Sequence, residues 1–67
     1  MIKKVTTYVY DEDYDAPCPR NSFINTIFIA YAQYHENYTE ITMNDGSKLF
    51  VKEELDDVFN WIKEDKQ

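Results

Sequence analysis

Two runs of residues, Tyr38 to Met43 and Ser47 to Val51, alternate apolar with polar or β-branched side chains. Between them stands Asn44-Asp45-Gly46, which holds the only glycine of the chain. Alternating runs flanking an Asp-Gly predict a β-hairpin. The phase of the alternation selects the loop. A two-residue loop at Asp45-Gly46 would pair Met43 with Lys48 and Ile41 with Phe50, splitting the apolar residues between the two faces. A three-residue loop instead pairs Met43 with Ser47, Ile41 with Leu49 and Thr39 with Val51. Ile41, Met43, Leu49 and Val51 then share one face, and burial selects this register because a one-residue slip turns every side chain over. Gly46 is left-handed in such a loop, where a Cβ is costly. Glu40, Thr42, Lys48 and Phe50 fall on the opposite face.

After the hairpin, Leu55, Val58, Phe59 and Ile62 recur at i, i+3, i+4 and i+7, one stripe of an amphipathic helix with Trp61 at its edge. Glu53, Glu54, Asp56 and Asp57 crowd its start, and Lys63 and Lys66 lie near its end, both placements suiting the helix dipole. No Ser, Thr, Asp or Asn immediately precedes it as a cap. At the other end of the chain, Ile2 to Tyr10 alternates Val5, Thr7 and Val9 with Thr6, Tyr8 and Tyr10 and reads as a strand. Lys3 and Lys4 at its start suit an edge strand. Asp11 to Arg20, with its run of acids and with Pro17 and Pro19, reads as an extended acidic loop.

Ser22 to Tyr34 fits two patterns. As a helix, Phe23, Ile24, Ile27, Phe28, Tyr31 and Tyr34 form a stripe, capped by Asn21 or Ser22. As a strand, Thr26 to Tyr31 is rich in the β-branched and aromatic residues of a strand buried on both faces. The strand reading is preferred and the helix at 22–34 stays open. Either way the fold class is α+β: a small antiparallel sheet of three or four strands, with a C-terminal amphipathic helix packed on one face.

At 67 residues the chain makes a single small domain near the lower limit for independent folding. Hydrophobic residues make up 43% of it, and its one cysteine allows no internal disulfide, so homodimerisation is an open route to further burial. A lone thiol, with no signal peptide and no bilayer-length apolar run, points to a cytoplasmic protein away from membranes. The net charge of −6 opposes direct binding to a phosphate backbone and favours a protein partner with a basic surface.

Asp11, Asp13 and Asp15 have the spacing of the first ligands of a calcium loop. Ala16 stands where that loop needs glycine and Ser22 where it needs glutamate, so no metal site is expected. Cys18, between prolines, reads as an exposed free thiol, and His35, the only histidine, as a solvated turn residue. No phosphate-cradling glycine loop or nucleophile–base arrangement is present, so neither an enzyme nor a cofactor is expected.

Ile27 to Val58 includes Thr-Glu-Ile-Thr-Met-Asn-Asp-Gly-Ser-Lys and then Val-Lys-Glu-Glu. This stretch resembles the small flagellar FlbD-type proteins, in which a Thr-x-Ile-x-Leu-x-x-Gly-Lys hairpin precedes a Val-x-Glu-Ser helix start. It is similar, more loosely, to the end of LytTR-type DNA-binding domains. The FlbD-type Asn-Gly near the amino terminus is absent, and a LytTR reader would be basic. The resemblance implies the hairpin-plus-helix fold and an accessory protein acting through its sheet edge.

Six tyrosines, four phenylalanines and a tryptophan exceed what one small core buries, and Tyr and Trp are favoured interface anchors. The expected function is a non-catalytic regulator binding a protein partner. Its candidate contacts are Tyr10, Asp11, Glu12, Asp13, Tyr14, Asp15, Phe50, Glu53, Glu54 and Asp57. In the sharpest form, the two acidic clusters join into one surface imitating a phosphate backbone, as in phage-type inhibitors that occupy a nucleic-acid site. A nucleic-acid-binding module is the remaining alternative.

Overall fold

The computed structural model describes residues 1–65; Lys66, expected near the helix end, lies outside them. The described residues form β1 (Ile2–Asp11), β2 (Ala16–Asn25), a 3-10 turn (Thr26–Phe28), β3 (Ile29–His35), β4 (Tyr38–Met43), β5 (Lys48–Val51) and α1 (Leu55–Asp65). The five strands make one antiparallel sheet in the order β2-β1-β5-β4-β3, so the fold is α+β. Among the described residues no helix is long and apolar enough to cross a membrane.

The β4–β5 hairpin takes the three-residue loop. Thr39 pairs with Val51, Ile41 with Leu49 and Thr42 with Lys48. Met43 N–H donates to the Ser47 carbonyl at 2.8 Å and Gly46 N–H to the Met43 carbonyl at 2.9 Å. Gly46 has φ +89° and a Cβ there would meet nothing within 4 Å, so an added side chain costs backbone strain alone. Gly46→Ala is expected to lower the free energy of unfolding by about 1 kcal/mol in urea titrations, with the core untouched.

One face of the sheet carries the core: Val5, Ile24, Ile29, Ile41 and Val51 are buried with Val58 of α1. Leu49, Met43, Ala32, Trp61 and Ile62 pack around them. One expectation about α1 is corrected. Phe59 belongs to the sequence stripe but is 59% exposed. Val58 points down the centre of the stripe, so Phe59, one residue round the helix, faces β3, where Ala30 and Ala32 are too small to cover it. The helix start also has tertiary anchors that no local pattern signals. The Glu53 carbonyl accepts from the Thr39 hydroxyl at 2.7 Å, and the Glu53 carboxylate accepts from Thr6 N–H at 2.9 and 3.2 Å.

The acidic loop is shorter than expected. Only Glu12 to Asp15 form the turn, and Ala16 to Arg20 belong to β2, pairing from Asp11↔Ala16 to Thr7↔Arg20. The prolines are compatible with a strand because β2 lies at the sheet edge. Residues in an antiparallel ladder point their N–H and C=O alternately toward and away from the neighbour. Thr26 N–H donates to the Met1 carbonyl at 2.8 Å, and counting back by twos places Pro17 and Pro19 at outward positions, where a missing N–H leaves the ladder intact. The same strand moves β1 into the sheet interior, so Lys3 and Lys4 do not mark an edge; the Lys3 ammonium instead sits 5.9 Å from the Trp61 ring centre. Ser22 to Tyr34 is neither one helix nor one strand: β2 ends at Asn25, a 3-10 turn follows, and β3 begins at Ile29. Cys18 is half-buried rather than exposed.

Because β5 has only four residues and meets β1 at Thr7↔Val51, the outer halves of β1 and β2 run on as a two-stranded arm. The molecule measures 43 Å by 21 Å by 20 Å. Val9, on the same face as buried Val5, is 49% exposed because the helix does not reach it.

Candidate functional site

Among the described residues no second layer covers the sheet face opposite α1. Alternation from the core register puts Tyr8 and Tyr10 of β1, Pro17 and Pro19 of β2, Tyr38 and Glu40 of β4 and Phe50 of β5 on it. Aromatic rings collect where the arm leaves the sheet. Tyr8 and Tyr38 lie 4.7 Å apart between ring centres, Tyr38 and Phe50 6.4 Å, and His35 and Phe50 5.8 Å. With Pro17 and Glu36 they line a cleft of about 250 Å³. These are tilted and edge-on ring pairs, the geometry that aromatic quadrupoles favour. The cleft offers π faces with a carboxylate at its margin, a setting suited to a lysine or arginine side chain.

Farther along the arm, the turn is built from its own acids. Asp11 Oδ1 accepts from Asp13 N–H at 2.9 Å, and Asp11 Oδ2 faces Arg20 Nη2 at 3.4 Å. The Tyr10 hydroxyl donates to Asp15, which holds the phenol above its ordinary value. Asp15 has φ +49° and closes the turn. Tyr14 at the tip is 74% exposed, and Glu12 and Asp13 are exposed beside it with no ion pair among the described residues.

Of the residues singled out from sequence, Tyr10, Asp11, Glu12, Asp13, Tyr14 and Asp15 therefore share the outer arm, and Phe50 lies at its base. Glu53, Glu54 and Asp57 do not join them. Glu53 is bound to Thr6, and Asp11 is five residue steps farther along β1, roughly 17 Å at about 3.3 Å per step. The two acidic clusters are thus separate patches rather than one surface. Tyr38 and His35 were missing from the sequence-derived set. Tyr38 has the parity of Glu40 and so falls on the Phe50 face, a signal readable from the hairpin alone.

Beside the cleft, Glu40 is buried at 7% exposure. Its carboxylate accepts from Gln33 Nε2 at 2.7 Å and pairs with Lys48 Nζ at 3.4 Å. The Gln33 hydrogen bond, and after it Lys48, hold its pKa below the ordinary 4.5. Asp65, bonded to the Thr26 hydroxyl, and Asp45, bonded to Ser47, are held below 3.8. A carboxylate whose folded pKa is depressed contributes stability that is present above its unfolded pKa and lost as pH falls through the folded value. Thermal unfolding is therefore expected to be nearly independent of pH from neutrality down to about 5 and to shift steadily lower as the pH drops below 4.5. Glu40→Gln should flatten part of that slope.

Compared against protein families, curated proteins and solved structures, the chain matches none of them.

Proposed function

We propose that this chain is a non-catalytic regulatory protein that binds a basic protein partner through its arm and the aromatic cleft at the arm's base. The observation that carries this reading is the bare sheet face, where Tyr8, Tyr38, Phe50 and His35 surround a cleft while exposed Tyr14, Glu12 and Asp13 extend beyond it. A cationic side chain of the partner would enter the cleft, and the tip carboxylates would meet neighbouring lysines or arginines. Net charge of −6 would speed encounter with such a surface, most strongly at low salt. Occupation of a nucleic-acid-binding site by charge mimicry is a narrower form of the same reading, confined to the arm because the acids at the helix start lie apart from it. The FlbD-like accessory role remains a proposal resting on the residues of Ile27 to Val58.

The test is titration with an arginine-rich peptide and with an acidic peptide of equal length. The basic peptide is expected to bind. Tyr14→Ala together with Glu12→Gln and Asp13→Asn should weaken binding about tenfold at low salt, while thermal stability stays within error, since exposed positions contribute little to folding. Equal affinity for both peptides, or no loss in the triple variant, overturns the proposal. DNA that competes for the basic partner in the same assay supports the mimicry form.

A further inference from the structure

We infer that β3 is a dimerisation edge, at which two copies of this chain pair their β3 strands antiparallel about a two-fold axis through Gln33. The two edges of the sheet differ. The β2 edge is interrupted by Pro17 and Pro19 and carries Arg20. The β3 edge, Ile29–His35, has no proline and no Lys, Arg, Asp or Glu, and so lacks the residues with which natural edge strands resist pairing. Its free groups follow from the ladder. Met43 N–H bonds across to β5, so Thr42, Glu40 and Tyr38 address β3, and the N–H and C=O of Ala32 and Tyr34 point outward.

A second copy of the chain suits this edge in charge and in shape. Copies of a chain with net charge −6 repel each other, so self-association favours a contact poor in carboxylates, and β3 is an uncharged stretch. A basic foreign strand, by contrast, would find no acid on it. The edge also adjoins a largely apolar groove of about 540 Å³ between β3 and α1, where Ala30, Ala32, Leu55, Phe59 and Ile62 surround a single carboxylate, Asp56. Tyr34 is 68% exposed on the helix side of the sheet and Phe59 59%. With the axis at Gln33, Ala32 of each copy stands opposite Tyr34 of the other, small against large, and each Tyr34 ring lies over the other copy's groove beside Phe59. Gln33 meets Gln33, and Tyr31 meets His35, so no like charges oppose each other. Burying what remains exposed of both Tyr34 and both Phe59 side chains, roughly 400–600 Å² in all, together with the paired strands approaches the order of 1,000 Å² at which specific interfaces begin. The obstructed β2 edge then closes the assembly at two copies rather than a filament.

Sedimentation of the full chain decides this. At about 100 µM, a concentration at which a small interface is populated, the expected mass is twice the 8.1 kDa of one chain. Tyr34→Glu should return it to one chain without changing the circular dichroism spectrum. In a Cys18→Ser background, Gln33→Cys should form an intermolecular disulfide on mild oxidation, since the two positions are direct neighbours across the axis, and Lys48→Cys should not. A single copy at every concentration, which would leave the edge to a strand of another protein, overturns the inference. So does a dimer indifferent to Tyr34→Glu, or growth beyond two copies.

Discussion

Ile41→Ala is expected to remove about 3 kcal/mol of folding free energy, the largest effect of any conservative truncation in this chain. Ile41 is fully buried at the centre of the sheet, paired with Leu49 on one side and Ala32 on the other and packed in the cluster with Val5, Val51 and Val58. The sheet around it is hydrogen-bonded on both sides, so the space left by the lost carbons cannot close by backbone movement. A domain of this length has a total stability of only about 3–10 kcal/mol, so the loss removes about a third of it or more. Urea denaturation followed by the fluorescence of Trp61 measures it. Leu49→Ala, at a half-buried position on the same face, should cost about 1 kcal/mol. A loss under 1 kcal/mol for Ile41→Ala would place the core elsewhere.

Thr39→Val is expected to cost about 2 kcal/mol although it changes no volume, whereas Thr42→Val should be neutral or stabilising. The two threonines lie on the same strand and are nearly equally buried, at 3% and 7% exposure. Thr39 donates to the Glu53 carbonyl at 2.7 Å, and Glu53 also holds Thr6 N–H, so the hydroxyl fixes the segment that leads from β5 into α1. Valine there leaves a carbonyl without its donor in a partly buried position. Thr42 Oγ1 is buried without a hydrogen-bond partner among the described residues, and replacing it with a methyl removes a desolvated polar atom. Paired urea titrations measure both. In Thr39→Val, faster amide exchange in the first turn of α1 should accompany the loss. Equal costs for the two substitutions would mean that the Thr39–Glu53 contact does not anchor the helix.

What was legible in the chain follows from how local each signal is. The β4–β5 register could be read because one glycine and the phase of four apolar residues permit only one solution. The face of Tyr8, Tyr10 and Phe50 came from the same parity. The β1–β2 pairing was missed because its turn has no glycine: Asp15 supplies the left-handed residue that Gly would usually occupy, and prolines at outward edge positions look like loop residues until the strand order is known. The break of Ser22 to Tyr34 into strand, 3-10 turn and strand has no periodic signature. It is held by Asn44 N–H to the Phe28 carbonyl and by Thr26 to Met1 and Asp65, contacts that exist only once the sheet is assembled. For the candidate site, Tyr10 to Asp15 fall together on the arm because they are consecutive in the chain. The helix-start acids were assigned to the same patch because sequence gives charge but not the distance between two elements. Phe59 escaped because whether a stripe residue is covered depends on the size of the side chains facing it, here two alanines.

The measurement that bears most directly on the proposed binding face is a nitrogen-15 NMR titration of the full chain with the arginine-rich peptide. The largest shifts are expected on Tyr8, His35, Tyr38, Phe50 and the turn from Glu12 to Asp15, with Leu55 to Ile62 unmoved. Shifts concentrated on Glu53, Glu54 and Asp57, or spread evenly over all acidic positions, would contradict the proposed face.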